Sequence, residues 1–267
     1  MTQWQFDTET AVQELSAGRW RTHLYPAWNI GDKPNGGYAA ATLIRAMTRL
    51  AGREDPVTVT THYLRPGIAD QDAEIHTELV RSGRRTVNTA ASLHQDGKER
   101  LRCLAAFGDL SGAPDSGRAA LSLPPVDLPR PEDCPSRSGK DQGIDLPITS
   151  RLELRMAPEY AEPGAAGRAE IAGWVRFLDG RPTDAAALPL FADAFPPAVF
   201  SLLGRVGWVP TLELTVQVRR RPAPGWIAAR FHTQDLHNGL LVEDGELWDE
   251  TGALVARSRQ LAMLLEG

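Results

Sequence analysis

The chain has 267 residues, 42% of them apolar and 24% charged, with 29 basic against 34 acidic side chains and a formal net charge of −5. That balance belongs to a globular protein with a sizeable core, and it lacks the basic excess that holds nucleic acid. The two cysteines, Cys103 and Cys134, match no metal spacing and cannot form a disulfide scaffold, so the chain reads as reduced and cytoplasmic, with no metal or other cofactor expected.

The opening MTQWQFDTETAVQELSAG carries acidic residues where a signal peptide needs a basic patch and an apolar run. At Gly36-Gly37 begins GGYAAATLIRAMTRLA, where Ala40, Leu43, Ile44, Met47 and Leu50 recur at helical spacing. Alternating segments follow. Val57, Val59 and Tyr63 share a face in VTVTTHYLRPG; Val87, Thr89, Ala91 and Leu93 share one in TVNTAASLH. A turn at Asp96-Gly97 leads to a strand whose Leu101, Cys103, Ala105 and Phe107 alternate inward. Residues 111–150 then change character, with prolines at 114, 124, 125, 129, 131, 135 and 147, and read as a linker or an extended surface crossing.

Beyond the linker the same order returns. The most apolar stretch, 185–204, is broken by Pro189, Pro196 and Pro197 and holds Asp193, so it is a buried helical segment and no membrane span. After it come TLELTVQVRRRP, WIAARFHT, GLLVEDGELWD, a turn at Thr251-Gly252 and ALVARSRQLAML. Gly97 and Gly252 stand 155 residues apart, as do Arg102 and Arg257. A helix followed by an antiparallel meander, twice over, is an internal duplication: residues 1–110, the linker 111–150, and residues 151–267.

No nucleophile elbow, phosphate loop, dinucleotide fingerprint or HExxH helix is present, and the six histidines, at 23, 62, 76, 94, 232 and 237, form no ligand pattern. Asp193 stands out as the only charge between Ala185 and Gly204. A carboxylate in an apolar segment costs several kcal/mol unless it is held, so it is either a helix-end residue leaning to solvent or a functional acid. Gln260 stands out by parity. Arg257 and Arg259 face outward, so Ala256, Ser258, Gln260 and Ala262 face inward, and a glutamine is out of place there unless it satisfies a neighbouring backbone group. The matching position of the first unit is Ala105.

The sequences THYLRPG (61–67), LVRSGRRTVNTAASLHQDGKERLRCLAAF (79–107), FADAFPPAVF, VPTLELTVQVRRRP and DETGALVARSRQLAML, in this order, resemble the acyl-CoA thioesterase II (TesB-like) family. The resemblance implies an α+β double hotdog, two tandem units that each wrap an antiparallel sheet around a long helix. It also implies an acyl-CoA substrate in fatty acid metabolism, no cofactor, and association into a homodimer of double units. The family's water-holding aspartate, threonine and glutamine fall on Asp193, Thr211 and Gln260. Counting back from Pro222 shifts the threonine by one residue, onto Leu212, and Thr215 is the fallback. Gly36-Gly37, at a helix start, is a candidate donor of backbone N–H to the substrate carbonyl, or else serves close helix packing. Arg65, Arg81, Arg84 and Arg85 suit coenzyme A phosphates or simply solvate strand ends. Two other readings stay open: a non-catalytic acyl-CoA or lipid binder, and an enoyl-CoA hydratase or dehydratase. The latter pairs a carboxylate with a histidine, and no histidine lies in the second unit's helix region or last strand.

Overall fold

Asn35 starts the longest helix. Its side chain accepts the Tyr38 N–H at 2.9 Å, a standard N-cap, and Gly52 ends the helix in the left-handed region at φ 61°. Between these caps an alanine-rich sequence buries Leu43, Ile44, Ala46 and Met47 and leaves Arg49 outside. The computed structural model describes residues 3–112, 121–138, 143–204 and 207–265. The first unit comprises α1 (Gln5–Glu9), β1 (Gln13–Ser16), β2 (Arg19–Leu24), the two-residue strands β3 (Asn29–Ile30) and β4 (Lys33–Pro34), α2 (Gly36–Ala51), β5 (Asp55–Tyr63), β6 (Gln71–Ser82), β7 (Val87–Gln95) and β8 (Lys98–Gly108). The second comprises β9 (Leu152–Met156), β10 (Glu170–Phe177), α3 (Leu188–Phe191), α4 (Val199–Leu203), β11 (Thr211–Val218), β12 (Ile227–His237), β13 (Leu240–Trp248) and β14 (Leu254–Met263).

The long strands form one antiparallel sheet in the order β1-β2-β6-β7-β8-β5-β11-β14-β13-β12-β10-β9. The order is symmetric about the β5–β11 pair, where Thr60 lies opposite Thr215 and their hydroxyls meet at 2.9 Å. These two threonines are 155 residues apart, the offset of the repeated turns, so equivalent strands pair with one another about a pseudo-twofold axis. The duplication is therefore one continuous structure. The ion pairs Arg221–Asp55 and Arg151–Glu9 tie the halves together at 2.8 and 2.7 Å.

The halves differ where the function is expected. The first has the uninterrupted α2. In the second, Pro196 and Pro197 cannot continue a helix, and the equivalent run breaks into the short α3 and α4 with residues 192–198 irregular between them. The proline-rich segment also has a definite place. Its described part crosses the outer face of the second unit's strands, where Trp248 and Trp174 donate their indole N–H groups to the carbonyls of Leu123 and Pro129 at 3.2 and 2.9 Å. Val126 and Leu128 pack there on Ala228, Trp248 and Leu254. Near its described end the strap also pairs briefly with β9, Ser136 lying opposite Arg155, and before that it satisfies tryptophan donors on the outer face. Among the described residues no helix is long and apolar enough to cross a membrane.

Candidate active site

The break after α3 turns Asp193 back onto the N-terminus of α2 in the other unit. Its Oδ2 accepts the Gly37 N–H at 2.7 Å and the Asn35 side-chain amide at 2.8 Å. The same amide nitrogen reaches the Asp193 carbonyl at 2.9 Å. Asn35 thus caps α2 with its oxygen and holds Asp193 with its nitrogen. The other carboxylate oxygen, Oδ1, has no hydrogen-bond partner among the described residues. Burial pushes the Asp193 pKa up to about 6, against the pull of the Gly37 and Asn35 donors and the Arg137 charge. Arg137 enters from the strap and donates to the Ala194 carbonyl at 2.5 Å; burial brings its own pKa down to about 10.

The glycine pair is required by this close approach. A Cβ on Gly37 would stand 2.9 Å from both the Asp193 Cβ and the Leu190 Cα, and one on Gly36 would stand 2.7 Å from the Tyr63 ring. The expectation that both glycines offer N–H groups to a substrate needs correction: the Gly37 N–H is taken up by Asp193, the Gly36 N–H also steadies that carboxylate, and of the two only Gly36 borders the cavity.

Thr211 reaches the site through a β-bulge. Leu214, Val216 and Val218 alternate inward, so strict parity would turn Thr211 out. Instead the pairing slips between Thr211 and Glu213, placing Thr211 opposite the inward Ala262 while Leu214 lies opposite Gln260. That extra residue, Leu212, is the source of the one-residue ambiguity in the sequence. Thr215 is engaged elsewhere, with the Thr60 hydroxyl and the Glu213 carboxylate, and does not line the cavity. Gln260 faces inward with Ala256, Ser258 and Ala262, and neither its amide N–H groups nor the Thr211 hydroxyl donates to any of the described residues.

Asp193, Thr211 and Gln260 border one cavity of about 770 Å³ between the two units. Phe195, Phe200, Trp208 and Phe231 give it apolar walls, and Arg65 alone of the four arginines considered above borders it. Three contributors were not singled out from sequence. Asn35 had a readable signal, a capping residue directly before Gly36-Gly37. Glu243 had one too: Leu241, Glu243 and Leu247 share the inner parity of β13. Tyr63, whose buried hydroxyl has no hydrogen-bond partner among the described residues, belongs to a strand end with no such signal.

A duplicated helix-and-sheet unit with a carboxylate, a hydroxyl and an amide converging on an apolar cavity defines a double-hotdog protein. Two family models match it: that of the acyl-CoA thioesterase N-terminal domain over residues 24–108, and that of the acyl-CoA thioesterase C-terminal domain over residues 131–264. The chain belongs to this TesB-like family of double-hotdog thioesterases. Its fold is similar to that of a Thermobifida fusca protein described as a candidate thioesterase II, with a TM-score of 0.88, 29% identity and coverage of 100% of this chain and 99% of that one. An acyl-CoA thioesterase II of Mycobacterium marinum shares the fold at a TM-score of 0.75 and 18% identity, covering 98% of both chains. Among curated relatives, uncharacterised proteins of Mycobacterium bovis and Mycobacterium tuberculosis are 27% identical over 89% of this chain and 88% of theirs. A thioesterase-like protein of Talaromyces wortmannii is 22% identical over 97% of this chain and 92% of its own.

Proposed function

We propose that the protein hydrolyses acyl-CoA thioesters by direct attack of a water held by Asp193, Thr211 and Gln260. The observation that carries this reading is the convergence of three polar side chains, far apart in sequence, on one apolar cavity, with the Asp193 Oδ1, the Thr211 hydroxyl and the Gln260 amide N–H groups uncommitted to other described residues. A thioester carbonyl has weak resonance, so a positioned water suffices without a covalent intermediate. Asp193 Oδ1 takes the proton of the water as its oxygen bonds to the carbonyl carbon. The C–S bond then breaks, and the thiolate leaves with the electron pair and takes up the proton held by Asp193, which restores the carboxylate. A carboxyl with a pKa of about 6 is ionised at neutral pH yet basic enough to accept that proton. Gly36, at the first turn of α2 and on the cavity wall, brings the positive end of the helix to the developing oxyanion. The acyl group lies along Phe195, Phe200, Trp208 and Phe231, and Arg65 stands ready for coenzyme A phosphate.

The test is release of free thiol over acyl-CoAs of graded length. Asp193→Asn should lower kcat/KM by about 10³-fold or more with the circular dichroism spectrum unchanged. Turnover like that of the unaltered protein in this variant would refute the mechanism, and tight acyl-CoA binding with no thiol release at any length would favour a binding module.

A further inference from the structure

Glu243 is a second acid in the same cavity. It lies on the inner face of β13, 7% exposed, and its register partner on β14 is Gln260. Its Oε2 accepts the Ala198 N–H at 2.6 Å, just beyond Pro196-Pro197, so it ties the segment that carries Asp193 to the sheet. Its outward neighbours are ion-paired, Asp244 with Arg259 and Glu246 with Arg230, but among the described residues no cation pairs with Glu243. Sequence alternation explains the difference: positions 244 and 246 face the arginines of the outer surface, and 243 faces the core.

The other charged and titratable groups bordering the cavity are Asp193 from the segment after α3, Arg137 from the strap, Tyr63 from β5, and Asp32, Lys33 and Arg65 of the first unit. Two carboxyls in one apolar space do not both ionise freely. Asp193 has the N–H groups of Gly37, Asn35 and Gly36 and the Arg137 charge on its side, so it ionises first. Glu243 has a single donor, and burial together with the Asp193 charge raises its pKa to about 7.

We propose that Glu243 is a positioning residue for Gln260: its protonated carboxyl donates to the Gln260 amide oxygen, turns the amide N–H groups toward the reacting centre, and silences the site when it loses that proton. A carboxylate beside Gln260 would instead draw the amide N–H groups away from the substrate and place a second negative charge near the oxyanion. The proposal rests on the thioesterase reading above.

Two measurements test it together. The first is the pH profile of kcat/KM for acyl-CoA hydrolysis in the unaltered protein, Glu243→Gln and Glu243→Leu. The unaltered protein should give a bell that rises as Asp193 ionises and falls as Glu243 ionises. Glu243→Gln keeps an acceptor for Ala198 and a donor for Gln260 but cannot ionise, so the falling limb should vanish. Glu243→Leu should lose about 30-fold in kcat with KM changed less than about threefold, and the glutamine should recover at least about tenfold of that loss. The second is ¹³C NMR titration of the Glu243 carboxyl, expected to have its midpoint near neutral and to move down in Asp193→Asn. A Glu243 midpoint in the ordinary glutamate range, or a falling limb retained in Glu243→Gln, overturns the proposal, and both arms stand even where the leucine variant does not fold. Absence of thiol release from the unaltered protein would sink the thioesterase reading itself, while the titration still decides whether Glu243 holds its proton.

Discussion

Asp193 is pulled in two directions, by burial that favours its neutral form and by donors that favour its charge. The balance has a stability consequence. Its folded pKa, about 6, lies above the ordinary 3.8, so the native state holds the proton more tightly than the unfolded chain. Stability is therefore lost as pH rises from about 4 through 6, and it stays lower above that. Asp193→Asn keeps an acceptor for Gly37 and Asn35 and has no charge to bury. Urea unfolding should find the variant more stable than the unaltered protein by about 2 kcal/mol at pH 7, with the difference closing below pH 4. Destabilisation at pH 7 would mean that the ionised carboxylate is worth more in the fold than its burial costs. Thr211 and Thr215 separate in the same direct way. Thr211→Val should lower kcat about 10²-fold, and Thr215→Val, which loses only its bonds to Thr60 and Glu213, should stay within about threefold. The reverse order would reassign the site threonine.

At the scale of elements, the N-terminus of α2 and the break after α3 make one joint. Gly37→Ala must push a methyl between Leu190 and Asp193, with no flexible side-chain end to give way. We expect about 1–3 kcal/mol of destabilisation and a fall in kcat larger than the change in KM, read by thermal unfolding and thiol release on the same preparation. Unchanged melting and turnover would show that the joint opens without cost. Much of this layer was legible in the sequence. The α2 boundaries followed from Gly36-Gly37 and the apolar period, the tight turn at Asp96-Gly97 is realised with φ of 50° and 68°, and the inward direction of Gln260 followed from its arginine neighbours. Asp193 was legible because charge is rare in such a segment. What the sequence concealed depended on tertiary choices. The bulge at Leu212 inverts parity for one residue only. Gly37 looks like a free helix donor until the other unit's carboxylate arrives to occupy it. The strap carries no periodicity because it is held by two tryptophan side chains and a single bridge to β9 and not by an extended ladder.

For the whole molecule, pairing of β5 with β11 through equivalent threonines means that each unit presents to its neighbour the edge that the neighbour presents to it. A chain of residues 1–110 alone would leave that edge of β5 open, and the same geometry permits β5 to pair with a second β5. Light scattering should find this fragment dimeric or larger, and a well-folded monomer would show that the edge is protected in another way. The dimer would still lack Asp193, Thr211 and Gln260. Here the anchoring of Asp193 by Asn35 and Gly37 acquires its broadest meaning. The acid is supplied by one unit and oriented by the other, so the chemistry is conditional on their docking. On the reading proposed above, a newly made or partly opened chain has no competent water-activating group, and turnover would report on assembly. During unfolding, activity should vanish as soon as β5 and β11 separate, before the strands within either unit have come apart.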